Sequence, residues 1–501
     1  MKKTPNILLI SADQMRWDCL GAIGNPVIQT PNLDRLARRG VLFRNGFTPD
    51  PICVPARASI MTGNYPHVCT GQKANGGRIR ADQPLLTETL KSAGYHTYAL
   101  GKLHFVPYSP PGEPRLVHGF QHVRLTESGR ILKQFDPERQ QRGLEDYIDY
   151  LEDVGWGGYS RAHGIGNNDV RPCRSPLPPE HHVDHWIADC TIAAIDQHRS
   201  ERAEKPFFMW MSSPKPHSPY DPPKGYDDLY DPRDIPPPFG WGENGVEKQL
   251  RDKDPAIDKA RFTHGVDSLS PQAWQVIRAY YYGGITFLDA QIGRVLDHLE
   301  RNGQLEDTLI LFTADHGDLT GDYGSCFKTC HYNGAVRVPF LAAGPGVARG
   351  QVSNALVGLQ DILPTFAAAA GATVDEDIQG IDLTPVFANP ATRARETYYA
   401  TTKSDCGNAF MITDGIWKYI HSESGGTEEL YNQSDDPGEE TNLADEPACA
   451  DMLHEMRQTL KTEARRLGDT DILDGDCFVT REVDRDAFHN EAPTRMGWRW
   501  H

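Results

Sequence analysis

The order of elements predicts an α/β fold, a doubly wound and mostly parallel sheet with helices on both faces, and three observations lead to it. Short apolar runs alternate with amphipathic helical segments along most of the chain. Each apolar run stops abruptly at charged or polar residues, the pattern of buried parallel strands whose C-terminal ends carry functional side chains. After about residue 375 the texture changes to short alternating segments, which predicts a smaller C-terminal α+β domain built on an antiparallel sheet.

The first strand is residues 6–12, a continuous apolar run closed by Asp13. Residues 30–40 (TPNLDRLARRG) form a helix, with an N-cap threonine, proline at the first helical position and a terminal glycine. A second helix, 86–93, ends at Gly94 and leads into a strand at 97–100. A helix at 183–198 starts among His181, His182 and His185, which are read as solvated. Residues 205–211 are a third strand and 308–313 a fourth. Between these two lies an amphipathic helix, 285–301, stopped by Gly303 and preceded by Tyr280, Tyr281 and Tyr282, which are assigned to helix core. Two stretches, 106–180 and 212–272, are rich in proline, glycine and charge and long for loops, so they read as insertions that shape a cleft. Strands at 396–402, 408–413 and 416–421 and a helix near 448–467 complete the second domain. The expected division is 1–375, 376–477 and a tail, 478–501, whose aromatic end GWRWH suits an interface in a homo-oligomer.

Composition narrows the function classes. A formal charge of −18 over 501 residues argues against nucleic acid as a partner, because phosphate binding needs a basic face. An anionic substrate must then be caught by local positive groups. The opening MKKTPNILLI has too short an apolar run for a secretory signal, and no stretch approaches the length of a membrane span. Ten scattered cysteines in so long a chain give no disulfide framework. The expectation is a reduced, cytoplasmic protein with no membrane partner.

The chemistry lies at the strand ends. Asp13 and Gln14 follow the first strand, Lys102 and His104 the second, Lys215 and His217 the third, Asp315 and His316 the fourth. In open α/β sheets these positions converge on one crevice. Two carboxylates, an amide oxygen and an imidazole make a divalent-cation site. Lysines and histidines beside it suit a tetrahedral oxyanion. Residues 53–63, CVPARASIMTG, add a cysteine at the start of a helix-like run.

With these residues the chain resembles the type I sulfatases of the alkaline phosphatase superfamily. The resemblance runs through NILLISADQ, TPNLDRLARRG, CVPARASIMTG, LGKLH, PKPHSPY, YYGGITFLDAQIGRVLDHL, TADHGD and VRVPFLAAGPG to LYNQSDDPGEETNLAD. It implies an alkaline-phosphatase-like fold and hydrolysis of sulfate monoesters, aryl or sugar sulfates, by a sulfuric ester hydrolase. It implies that Cys53 is converted to formylglycine by a formylglycine-generating or equivalent enzyme that reads Pro55 and Arg57. A hydrated aldehyde carries two hydroxyls on one carbon, so one can attack sulfur and the other can expel sulfate, which splits a hard cleavage into two easier steps.

By position, the resemblance assigns the metal to Asp13, Gln14, Asp315, His316 and the modified Cys53. One divalent ion per chain is implied, Ca2+ by family habit, with Mn2+ favoured by imidazole ligation and Mg2+ as a further option. Arg57 would stabilise the alkoxide, and Lys102 and Lys328 would neutralise the sulfuryl oxygens. His104 would be the base for collapse, and His217 the acid toward the leaving oxygen, shared with Lys328. Asn75 would hydrogen-bond the sulfate. Gln14 and His316 depart from the commoner Asp and Asn and are similar to choline sulfatases and phosphonate monoester hydrolases. That keeps phosphonate monoesters, phosphodiesters and choline sulfate as alternative substrates, although LGKLH favours sulfate and no aromatic cage for a quaternary ammonium is legible. A catalytically dead binding protein is disfavoured because every position the chemistry needs is filled. A phosphatase using the cysteine directly is disfavoured because phosphatases of that superfamily use Ser or Thr there. Cys326 and Cys330 are read as structural or pocket-lining. His331 is near enough to Lys328 to reach substrate but is given no role.

Overall fold

The computed structural model describes residues 4–71, 75–105, 114–127, 142–241, 253–374, 377–404 and 407–484. Parts of both insertions, and most of the tail with its GWRWH end, lie outside the described residues.

The eight-stranded sheet has the order β4-β3-β5-β1-β6-β7-β2-β8. Its strands are β1 (Asn6–Asp13), β2 (Gly40–Phe47), β3 (His96–Gly101), β4 (His122–Leu125), β5 (Phe207–Pro216), β6 (Thr308–Ala314), β7 (Phe340–Ala343) and β8 (Gln351–Gly358). Only β7 runs antiparallel to its neighbours; β1 pairs in parallel with β5 and β6, and β3 with β4 and β5. Every side chain of β6 is buried, as is almost every one of β1, which explains why these strands read as unbroken apolar runs rather than alternating ones.

The helices cover both faces. α1 (Pro31–Arg39), α5 (Val183–Glu201) and α7 (Pro271–Arg301) pack together in one group, and α2 (Cys53–Thr62), α3 (Leu86–Ser92) and α8 (Ile362–Ala370) in another. Between them in the chain are α4 (Asp146–Asp153) and α6 (Pro255–His264), both within the insertions. A second sheet, order β12-β11-β10-β9, is fully antiparallel. It comprises β9 (Tyr398–Ser404), β10 (Gly407–Thr413), β11 (Trp417–Ser422) and β12 (Glu428–Asn432). Helix α9 (Ala450–Leu467) lays Leu453, Met456, Leu460, Ala464 and Leu467 on Tyr399, Phe410, Ile412 and Tyr419 of that sheet.

Several expectations need correction. The helix expected at 285–301 is the last part of the 31-residue α7, which starts at Pro271 behind a Ser270 cap. Gly283 is no terminus: a Cβ there would lie 2.1 Å from the Tyr226 carbonyl oxygen, so it marks close packing inside the helix. Strand β5 runs on to Pro216 rather than stopping at residue 211, because its polar end still pairs with β1 through Asp13. Four strands of the main sheet, β2, β4, β7 and β8, and β12 of the second sheet go beyond the sequence reading; β7 is only four residues long, and Gly40, read as a helix stop, is also the first residue of β2. His182 is buried rather than solvated and caps α5, its Nδ1 accepting the Asp184 N–H at 3.3 Å. His181 is partly buried against the Tyr150 hydroxyl at 2.7 Å. Tyr281 and Tyr282 are core, as expected. The cysteines among the described residues are free, and no helix among them is long and apolar enough to cross a membrane.

Candidate active site

The four strands β3, β5, β1 and β6 lie side by side, so their C-terminal ends bring Lys102, His217, Asp13, Asp315 and His316 to one place. Helix α2 supplies the rest. All ten of its residues are buried, and it ends at Gly63, whose φ of 72° is the left-handed conformation that glycine adopts without strain. Cys53 is its first residue, so the thiol sits at the positive end of the helix dipole. One turn on, Arg57 reaches into the same crevice.

Cys53 Sγ lies 3.2 Å from His316 Nε2, 3.2 Å from Lys328 Nζ and 3.9 Å from Asp13 Oδ1. His316 Nε2 is 3.8 Å from Asp13 Oδ1 and 3.6 Å from Asp315 Oδ1. One ligand atom from each of Asp13, Cys53, Asp315 and His316 falls within 4.8 Å of the others, and all four residues are buried. His316 Nδ1 lies 2.9 Å from the Gly317 carbonyl, which can only accept, so the ring must donate there and turn the Nε2 lone pair into the cluster. A set of two carboxylates and a correctly turned imidazole fits a divalent cation.

Positive groups ring this cluster. Arg57 Nε donates to Asp315 Oδ2 at 2.8 Å, and its Nη1 donates to the Lys102 carbonyl and to Ser212 Oγ, each at 2.8 Å. Its Nη2 is 3.7 Å from Asp13 Oδ2 and makes no hydrogen bond among the described residues. Lys102 Nζ is paired with Asp13 Oδ2, and Lys328 Nζ donates to Gln14 Oε1 at 2.6 Å. Burial alone would raise the Asp13 carboxyl, but Lys102, helped by His217, Arg57 and Lys328, holds it well below the usual range. Burial and Asp13 also push the Cys53 thiol up, yet Lys328, His316 and Lys102 outweigh them and bring it down to about 7.

The remaining site residues differ in placement. Asn75 Oδ1 accepts the Val54 N–H at 3.1 Å, capping the first turn of α2 beside Cys53. His217 is buried, and its Nδ1 donates to the Ser218 carbonyl at 2.9 Å. The His104 N–H donates to Glu127 Oε1 at 2.8 Å. Lys215, expected in the crevice, is spent instead on Asp221 and on the Pro219 carbonyl at 2.8 Å. His331 is buried beside Thr401, with burial and then Lys418 pulling its pKa down to about 3. Cys326 and Cys330 are buried with thiols pushed up by burial.

Backbone strain collects here. Gln14 (φ 69°), His104 (φ 65°), Phe327 (φ 65°) and Thr329 (φ 75°) all occupy the left-handed region without being glycine, and the last two flank Lys328. Nothing in the sequence pattern signals this. Asp318, which the sequence reading names only as part of TADHGD, is likewise revealed as a buried hub, accepting from Gln14 Nε2 and the Tyr220 hydroxyl.

Comparison with known proteins covers most of the chain. The Sulfatase family model matches residues 5–372, and a model for the C-terminal region of N-sulphoglucosamine sulphohydrolase matches 321–466. The chain is 32% identical to an arylsulfatase of Clostridium perfringens over 93% of its own length and 96% of that protein. It is 28% identical to a choline-sulfatase of Rhizobium meliloti, covering 88% and 83% of the two chains. Among solved structures, a phosphonate monoester hydrolase of Agrobacterium radiobacter superposes with a TM-score of 0.76 at 23% identity, over 92% of this chain and 96% of that one.

Proposed function

Because this chain belongs to the sulfatase family and is a sulfuric ester hydrolase, we propose that it cleaves small sulfate monoesters, aryl or sugar sulfates, through a hydrated formylglycine made from Cys53. The observation that carries this reading is the position of Cys53 Sγ, 3.2 Å from both His316 Nε2 and Lys328 Nζ at the edge of the acidic cluster. In the unmodified chain this sulfur stands for an oxygen of the hydrated aldehyde. Identity of 32% with an arylsulfatase supports aryl sulfates as the first class to test.

Asp13, Gln14, Asp315, His316 and the formylglycine oxygen would hold one divalent cation, calcium ahead of manganese or magnesium, which when bound polarises a sulfate oxygen and acidifies the diol. The side chains do the rest. One hydroxyl of the hydrate gives its proton to solvent, the resulting alkoxide attacks sulfur, and the bond from sulfur to the alcohol oxygen breaks with its electron pair. His217, with Lys328 nearby, gives that oxygen its proton. His104 takes the proton of the second hydroxyl, the bond from carbon to the sulfate oxygen breaks, and sulfate leaves as the aldehyde returns. Water then restores the hydrate. Lys102 and Lys328 face the sulfuryl oxygens, and the unspent Nη2 of Arg57 is the donor for the formylglycine alkoxide. Asn75 keeps its amide N–H groups for sulfate, since its oxygen is taken by Val54.

The same reading divides the chain near residue 375, close to the end of one family match at 372, while the second match, 321–466, spans that point. It places the modifying enzyme's recognition on Pro55 and Arg57. Two measurements test it: the mass of the peptide bearing Cys53, and hydrolysis of an aryl sulfate, a sugar sulfate, choline sulfate and a phosphonate monoester by the purified protein. An unmodified cysteine in active enzyme sinks the nucleophile. Preference for the phosphonate moves the assignment to the phosphorus substrate.

A further inference from the structure

A glutamine at position 14 poses a problem that an aspartate would not. A carboxylate presents oxygen in either orientation, whereas a side-chain amide presents oxygen one way and N–H groups the other. The structure contains a device that selects the orientation. Asp318 is wholly buried, and its two oxygens divide their work. Oδ1 accepts the backbone N–H groups of Thr320 at 2.9 Å and Phe327 at 2.8 Å. Oδ2 accepts Gln14 Nε2–H at 2.6 Å and the Tyr220 hydroxyl at 2.5 Å. An ionised carboxylate can only accept, so the NH2 of Gln14 must face it. Oε1 is then aimed the opposite way, where it accepts Lys328 Nζ at 2.6 Å, and that ammonium is itself 3.2 Å from Cys53 Sγ. The backbone of Gln14 is pinned as well: its N–H donates to Asp315 Oδ1 at 3.0 Å and its carbonyl accepts the Tyr281 hydroxyl at 2.6 Å. A half-turn of the amide would set oxygen against carboxylate and N–H against ammonium, two repulsive contacts in a buried site.

We propose that Asp318 is a positioning residue that locks the Gln14 amide with its oxygen toward the cation site and Lys328. The inference rests on the metal reading above. It also explains why the loop carrying Lys328 returns to Asp318 through the Phe327 N–H, since one carboxylate then sets both the amide and the loop beside it.

Asp318→Asn is the direct test, because it is isosteric and its consequence is fixed. The two backbone donors cannot turn away, whereas the Gln14 amide and the Tyr220 hydroxyl can, so the introduced amide keeps its oxygen on Thr320 and Phe327 and turns its NH2 toward Gln14 and Tyr220. The Gln14 oxygen is then claimed by both that NH2 and Lys328, and it can no longer be offered to a cation. Calcium and, separately, manganese are titrated calorimetrically into chelator-treated full-length protein. The dissociation constant should rise at least roughly tenfold in the variant. Adding Gln14→Glu should repair it, because a carboxylate gives one oxygen to the introduced NH2 and the other to the cluster. The double variant should bind at least as tightly as the parent. An Asp318→Asn protein that binds like the parent, or a loss that Gln14→Glu leaves unrepaired, overturns the assignment while the metal reading stands. A parent protein that binds neither ion removes both.

Discussion

At Cys53 the protein holds a thiol down to about 7 at the start of a buried helix, against the opposing pull of burial and Asp13. A thiolate so stabilised still has only one nucleophilic atom and no second hydroxyl with which to expel sulfate. Cys53→Ala should therefore lower kcat by about a thousandfold or more and leave the fold intact by circular dichroism, because the nucleophile and not the scaffold is lost. Substantial turnover by the alanine variant would end the formylglycine mechanism. Cys53→Ser should be almost as poor unless the host converts serine. Lys102 gives a second residue-scale prediction. It pairs with Asp13, and in the proposed reaction it would suit the three terminal oxygens of a sulfuryl group better than the two free oxygens of a phosphonate monoester. We expect kcat/KM on an aryl sulfate to exceed that on the matching phosphonate ester by at least roughly a hundredfold, about 2.7 kcal/mol. Lys102→Ala should narrow the ratio by harming the sulfate reaction more; a ratio it leaves unmoved counts against the sulfuryl contact.

Among the elements, α6 is the one whose part in the site is not legible from sequence. Its Ile257 carbonyl accepts the Ser325 hydroxyl at 3.2 Å, and the ring of His264 meets Phe327 edge-on at 4.6 Å. The helix thus lies along the loop that presents Lys328 between two left-handed residues, each costing about 1–3 kcal/mol. Just before α6, Lys253 enters a pocket of aromatic rings, its Nζ 4.2, 4.6 and 4.9 Å from the centroids of Tyr323, Tyr332 and Tyr431. It also donates to the Tyr431 hydroxyl at 2.9 Å and the Glu439 carbonyl at 2.7 Å. The lysine fastens the insertion to the Lys328 loop and to β12 together. Lys253→Ala should cost about 3 kcal/mol, because it deletes a buried cation together with its ring contacts and its hydrogen bond to the Glu439 carbonyl. Amide exchange across residues 255–264 should rise while β1 and β6 stay protected. If exchange in α6 matches the parent, the clasp is not what holds that helix.

For the molecule as a whole, a charge of −18 opposes any anionic substrate at long range. On the proposed reading, capture falls to Arg57, Lys102, Lys328 and His217 at the sheet's C-terminal edge. The same edge gathers two buried carboxylates from opposite ends of the main domain, Gln14 and Asp315 being joined across 301 residues. A cation bound there joins distant parts of the chain and should stabilise the fold by about 2.7 kcal/mol when calcium is roughly a hundred times its dissociation constant. Chelation should accordingly lower the melting temperature and abolish turnover, and calcium should restore both. A melting curve indifferent to calcium, manganese and magnesium alike would show that the cluster binds no ion.

The alternation of strands and helices, the strand-end positions of Asp13, Lys102, His217, Asp315 and His316, and the place of Cys53 at the start of a helix were legible in the sequence. A parallel strand buried on both faces must be apolar along its length, and its first polar residue marks where it leaves the sheet. Short strands such as β4 and β7 were not legible, because four residues carry too little periodicity, and neither was β5 beyond residue 211, where polar residues still pair in the sheet. Lys215 stands at a strand end yet is drawn off by Asp221, a partner that folding brings to its ammonium. The left-handed residues around Lys328, the tyrosines around Lys253 and the direction of the Gln14 amide were decided by the tertiary structure alone. Each depends on what stands across a gap from a side chain, and that neighbour comes from a distant part of the chain.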